Sequence, residues 1–293
     1  MSLYITAFIA GIGTGGIYAL VALSYNLIYS ATGVFNFAQG DLLTLGSLLT
    51  FSLIVTDEHS VLFAIVPVIL AVALIGLLQH RITVVPFVRP GRSSFAWVIT
   101  TLGASVILQN LFQLIWGSQP LPVPSLWEGS PIRIAGSPVP RTSIIIVAVA
   151  LISVIALELM SRRTLFGRAW RATAEDPEAA SVRGIDVRRV GAISFMVAGG
   201  LSGLAGLVIA PVTPVVFSSG ALLSLQVFVA IVIGGFGSAK GALFGGFILG
   251  VVQAEGALIL SPEYRNIITL GLLMTVLMLR PLGLFGIQHE REV

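Results

Sequence analysis

The 293-residue chain is 56% hydrophobic and only 10% charged, with a mean hydropathy of +1.00; a soluble domain carries about 25% charged residues, so a soluble fold is excluded. The absence of cysteine removes disulfides, thiolate metal sites and cysteine nucleophiles. The net charge of +3 comes from arginines that a membrane protein gathers on one side, and it gives no case for a nucleic-acid partner.

What remains is an all-α, polytopic helical membrane protein. Residues 1–293 read as a single transmembrane domain, with about 8–9 transmembrane segments and two Gly-rich broken or re-entrant regions. A transmembrane barrel would alternate over strands of about ten residues, and no such alternation occurs. No catalytic constellation and no metal-ligand set is expected.

The first span covers about residues 3–29, too long for a signal-peptide core and without a basic leading region. Gly11 to Gly16 spells G-x-G-x-x-G. A dinucleotide site needs a preceding strand and a βαβ unit, which ten residues cannot supply, so these glycines read as helix-packing positions. Residues 30–41, including Asn36, Phe37, Gln39 and Gly40, then interrupt the apolar run. They are too apolar for an ordinary loop and too glycine-rich and polar for a clean helix. A broken segment buried in protein or lining water fits. Spans at about 42–55, 61–79 and 95–116 follow. The last carries Gln109, Asn110 and Gln113, whose amides serve either helix–helix hydrogen bonding or a polar pathway. His59, between two of these spans, reads as a solvated loop histidine.

Residues 117–141 form a proline-rich extramembrane loop with Trp127 and a hairpin turning at Gly136-Ser137. After a span at 143–160 comes the longest polar stretch, 161–189, with seven of the sixteen basic residues. It contains a short helix over 177–183 with its own signals: Asp176 as cap, Pro177 at the first position, Glu178 in the first turn and Gly184 at the stop. A helix this short is not stable alone in water and needs a docking partner. A solvated loop is the alternative. Glu158, just before the stretch, is expected to pair with a nearby arginine.

Further spans are read at 190–210, 223–233, 242–260 and 264–279. Gly234, Gly235, Gly237 and Ser238 lie in a second glycine-rich interruption, 234–241. It is not a phosphate loop, because Ala precedes Lys240 and Gly follows it. Paired broken segments, one in each half, point to a transporter pathway. Gln253 and Glu255 fall in the eighth segment. Glu255 is either a functional intramembrane carboxylate or a packing or interfacial group. With 161–189 in the cytoplasm and alternating sides, 13 basic residues fall inside and three (Arg133, Arg141, Arg265) outside. The N-terminus is then outside and the C-terminus inside. A re-entrant 223–241 would flip the later segments.

Several stretches carry a family resemblance: 16–23, 36–40, the run from Arg163 through Asp176 to Gly184-Ile185, 234–238 with Gly241-Ala242, and Arg280-Pro-Leu-Gly-Leu-Phe-Gly286. On these the chain resembles the permeases of branched-chain amino-acid ABC transporters, and among them the shorter H-type subunit. Position 39 is Gln where many members have His. The resemblance implies a multi-pass permease of the bacterial inner membrane, which makes the outer side, where the charge count puts the N-terminus, the periplasm. It implies a longer M-type permease partner, two cytoplasmic ATPase subunits that bind the ATP, and a periplasmic substrate-binding protein. The family also carries urea, short amides and aromatic acids. The 177–183 helix would be the coupling helix, with Arg171, Glu175, Asp176, Pro177, Glu178, Ala179, Ala180, Val182, Arg183, Gly184 and Ile185 at or near the ATPase contact. A stand-alone ion-coupled carrier using Glu255 is the alternative reading; a channel comes third.

Overall fold

The computed structural model describes residues 2–87, 96–125, 130–134 and 136–286; Arg89, Arg92, Trp127 and Arg291 lie outside them. Among the described residues eleven α-helices occur in the order α1 (Ser2–Thr32), α2 (Gln39–Phe51), α3 (Val61–Gln79), α4 (Ala96–Trp116), α5 (Arg141–Arg163), α6 (Leu165–Glu175), α7 (Pro177–Val182), α8 (Val187–Ile209), α9 (Ser219–Gly234), α10 (Ala239–Ile259) and α11 (Arg265–Leu279). π-Helical turns carry α2 on to Thr56 and α3 to Val84. With those extensions, seven helices are long and apolar enough to cross a membrane, and α9 is a shorter apolar helix of 16 residues. The chain is a polytopic helical membrane protein. Its only strands among the described residues, β1 (Ile132–Ile134) and β2 (Ser137–Val139), form the small antiparallel hairpin expected around Gly136.

α1 is the hub. From Ile17 to Ile28 its residues are buried, and it packs against α10, α8, α5 and α9. The approach to α10 is made by glycine: a Cβ on Gly11 would stand 2.7 Å from the Val251 Cα, and one on Gly15 2.7 Å from the Phe247 Cα. So the G-x-G-x-x-G run is a helix-packing surface within one continuous helix. α3 meets α8 in the same way, through Gly76 and Gly199, and α2 meets α8 through Gly46, Gly203 and Gly206. Small residues let backbones close to dispersion distance, the main attraction left where lipid is as apolar as the protein. α4 is peripheral, with only Thr101, Ser105 and Phe112 buried.

Two expectations shift in extent. Both breaks are narrower than expected: of 30–41 only 33–38 lies outside helix, and of 234–241 only 235–238. The Ser30 and Thr32 hydroxyls donate back to the Asn26 and Ile28 carbonyls, at 2.7 and 2.8 Å, so α1 absorbs their polarity and ends at Gly33 with φ +66°. And 161–189 holds a second helix, α6, capped by Thr164, whose Oγ1 accepts from the Gly167 N–H at 2.9 Å.

The two ends of the bundle differ. At one, the start of α1 bonds the hairpin (Thr6 Oγ1 to Ser137 Oγ, 2.7 Å), and Leu121 and Val215 exchange backbone hydrogen bonds at 2.9 Å. At the other lie α6, α7, Lys240 and the tail after α11. Lys240 opens on the same cavity as Arg162, Arg171 and Arg188. Residues 234–241 therefore reach the same end as 161–189.

Candidate functional site

The break at 33–38 climbs back into the bundle beside α1, and its polar groups are closed off by side chains. Asn36, 1% exposed, donates from Nδ2 to Gln39 Oε1 (3.1 Å) and Gln79 Oε1 (3.2 Å). Its Oδ1 accepts from Gln79 Nε2 (2.8 Å) and the Ala38 N–H (3.2 Å). Gln39 Nε2 donates to the Ala198 carbonyl (3.0 Å) and Ser202 Oγ (2.8 Å). The Gly40 N–H donates to Tyr25 OH (3.1 Å), which donates to Ser224 Oγ (2.7 Å) on α9. Asn36, Gln39 and Gly40 are thus brought together, and they knit α1, α2, α3, α8 and α9 at one level. Each buried donor left unmade here would cost about 1–3 kcal/mol.

The second break, 235–238, turns on Gly235 and Gly237 with φ of +98° and +80°. One side chain holds it: Asn26 of α1, 3% exposed, accepts from the Gly237 N–H and donates to the Ser238 carbonyl, both at 3.1 Å. Ser238 then caps α10 by accepting from the Gly241 N–H at 3.0 Å. The tail 280–286 folds over the break, with Leu284 and Phe285 donating to the Ile233 and Gly234 carbonyls at 2.8 and 2.9 Å.

Aromatic rings join the two breaks. Phe35 stacks on Tyr25 (centroids 4.8 Å) and meets Phe37 (5.1 Å) and Phe228 (5.3 Å) edge-on. Phe228 of α9 meets Phe236 of the second break (6.2 Å), and Phe236 meets Tyr29 (4.8 Å). Tyr29, Phe228 and Phe236 line a cavity of about 2500 Å³ that opens at the arginine-rich end.

The loop 161–189 forms the cavity's outer wall. The amphipathic α6 turns Gly167 and Thr173 inward, and Trp170 Nε1 donates to the Leu27 carbonyl of α1 at 3.4 Å. α7 is fixed at both ends. Asp176 accepts from the Glu178 and Ala179 N–H groups at 2.9 and 3.0 Å. Gly184, at φ +85°, donates to the Ser181 carbonyl and Ile185 to the Ala180 carbonyl. That pair of bonds is the Schellman ending. Ala180 faces inward at 3% exposure, while Val182 is 89% exposed beside exposed Glu178, Ala179 and Arg183. Arg171, Glu175, Asp176, Pro177, Glu178, Val182 and Ile185 line the cavity. Glu158 pairs with Arg162 at 2.6 Å.

Other predicted positions stand apart. Asn110 and Gln113 face outward on α4, and the Asn110 amide bonds its own helix at the Val106 carbonyl; Gln109 bonds Ser105 on the same helix. Gln253 is an interhelical fastener. The Tyr18 hydroxyl lies between the amides of Gln226 and Gln253, and Gln253 donates to Thr269 Oγ1 at 2.7 Å. Glu255 is half-buried one turn from the end of α10. Asn26, Phe228 and Asp41 were not singled out. Asp41 is fully buried in the first turn of α2 and faces Ser105 and Gln109 of α4, with no hydrogen bond of full geometry to either. Among the described residues no group of three His, Asp or Glu side chains could hold a metal ion.

The family described as the permease component of the branched-chain amino acid transport system matches residues 7–277. The chain belongs to this family. It is 32% identical to the high-affinity branched-chain amino acid transport system permease protein LivH of Salmonella typhimurium, over 97% of this chain and 96% of the relative. It is 29% identical to the corresponding protein BraD of Pseudomonas aeruginosa, over 99% and 98%. The solved PsaBC from Streptococcus pneumoniae in complex with Fab is similar at 14% identity, with a TM-score of 0.48 over 91% of this chain and 89% of that one. In this permease component both breaks, the aromatic rings and the whole of 161–189 fall inside the matched region.

Proposed function

We propose that this chain is the shorter, H-type permease of an ATP-driven importer in the bacterial inner membrane, moving branched-chain or related hydrophobic amino acids. It works with a longer M-type permease, two cytoplasmic ATPases and a periplasmic binding protein. The observation that carries the reading is α7: a two-turn rod, fixed at both termini, that turns Ala180 in and leaves Ala179 and Arg183 exposed outside the cavity lining. Such a rod has an unpartnered outer face at the arginine-rich end, as a contact for a soluble motor requires. Its neighbour α6 reaches α1 through Trp170, and α1 holds the second break through Asn26. A push on α7 thus has a path to the pore-side backbone. ATP stays on the partner subunits, since this chain carries no nucleotide motif. The carrier reading built on Glu255 is the weaker one, because that carboxylate sits near the end of α10 rather than at mid-membrane.

The complex, co-purified with its ATPases and placed in liposomes, tests this. Leucine-, isoleucine- or valine-loaded binding protein should stimulate ATP hydrolysis and drive uptake, with urea, short amides and aromatic acids giving little. Uptake by the purified chain alone, driven by an ion gradient without ATP, would overturn the proposal.

A further inference from the structure

Among the described residues Phe228 is the one ring that touches both breaks: it meets Phe35 of the first and Phe236 of the second. Its neighbours in the row differ from it in exposure. Tyr25 and Phe35 are buried, at 1% and 7%, whereas Phe228 is 37% exposed and stands in the wall of the cavity. It also ends an outward apolar line on α9, Leu222, Leu225 and Phe228, spaced three residues apart and exposed at 69%, 70% and 37%. α9 itself is short and has non-helical chain on both sides, 211–218 and 235–238. A short apolar helix between two irregular segments is the kind of element that lines a route through a transporter.

The polar groups nearest this row are already engaged. The Asn26 amide is held by Gly237 and Ser238, and the Ser30 and Thr32 hydroxyls by α1 carbonyls. Those three groups are therefore not free to hold a solute, and Phe228, Phe236 and the ring of Tyr29 present aromatic contact to the cavity. Phe35 and Phe228 meet edge to face at 89°, and Phe228 keeps 37% of its surface exposed. An aliphatic side chain can move along such a wall without being trapped by a polar contact, whereas a small or polar solute gains little there.

We infer that Phe228 is a selectivity residue of the translocation route, at which the apolar side chain of the solute passes from the level of the first break into the cavity at the arginine-rich end. The inference rests on the importer reading above and adds to it the residue that favours a large aliphatic solute over a small one. The test uses the complete complex in liposomes, with leucine and alanine as the two solutes at saturating binding protein. Phe228→Ala should lower the leucine-to-alanine uptake ratio about ten-fold, as loss of one apolar wall does, and Phe228→Tyr should hold it within about two-fold. Recovery of the partner permease and ATPases should match wild type in both variants. Equal loss of leucine and alanine uptake together with loss of the partner permease would make Phe228 an assembly contact, and an unchanged ratio would make it a lipid-facing ring; either overturns the inference alone. A wild-type complex that moves neither amino acid overturns the importer reading as well.

Discussion

Asn26 lies in the middle of an apolar helical run, yet its whole side-chain amide is committed to one turn of backbone more than two hundred residues away. Removing it leaves the Gly237 N–H and the Ser238 carbonyl without their side-chain partner. Asn26→Ala should therefore lower stability by about 1–3 kcal/mol. Asn26→Asp should fall between, because its carboxyl can still accept from Gly237 but an ionised one cannot donate to Ser238. Thermal unfolding of the detergent-solubilised protein checks the order. If Asn26→Ala melts with wild type, the break is held by the tail bonds from Leu284 and Phe285 instead. This residue was illegible in the sequence for a physical reason: an amide in a helix announces a need for a partner, but nothing in Tyr25-Asn26-Leu27 says where the partner is. Asn36, Gln39 and Gly40 were legible because the polarity of a break is local to it. Asp41, next in line, was read only as the boundary of that break; its burial follows from the later closure of α4 over α2, which no local pattern encodes.

Elements whose ends are set by near neighbours were the readable ones. α7 is the clearest case, since its cap, its proline and its terminating glycine all lie within nine residues, 176–184, and the structure uses each of them. The direction its side chains face was not readable, because two turns are too few for a periodic stripe. That direction decides what a substitution tests. Ala180 packs against the chain's own α6 and α8 side, so Ala180→Trp should overpack the loop at a cost of about 1–3 kcal/mol and reduce the yield of folded permease. Val182, though it lines the cavity, is 89% exposed, so Val182→Glu should leave permease yield and melting unchanged and weaken recovery of the ATPases and uptake. Asp176→Ala, which removes one cap, should cost about 1 kcal/mol of local helix stability. The measurement is co-purification of the ATPases at matched permease levels. Full recovery and full uptake with Val182→Glu would remove α7 from the contact. α6 was missed for the opposite reason: its arginines drew attention as loop charge, whereas Gly167, Trp170 and Thr173 form the inward face of an amphipathic helix.

At the scale of the molecule, the order of the long apolar helices could be read from hydropathy, but their neighbours could not. Glycines announce close approach without naming the partner, so the pairing of α1 with α10 or of α3 with α8 depends on shape in three dimensions. Charge gives the whole-molecule property that sequence does encode. Arg162, Arg171, Arg188 and Lys240 share one cavity, while Arg133 and Arg141 belong to the hairpin end. Residues 234–241 lie at the first of these ends, which removes the case for flipping α10 and α11. On the positive-inside rule we propose that the arginine-rich end faces the cytoplasm and the hairpin the periplasm. The chain has no cysteine, so single cysteines report without background. Ser118 and Ser181 are both exposed and lie at opposite ends. In intact cells, a membrane-impermeant thiol reagent should label Ser118→Cys at once, and Ser181→Cys only after the membrane is opened. Labelling of Ser181→Cys with protection of Ser118→Cys would invert the orientation, place α7 outside the reach of any cytoplasmic ATPase, and leave the importer reading without its motor contact.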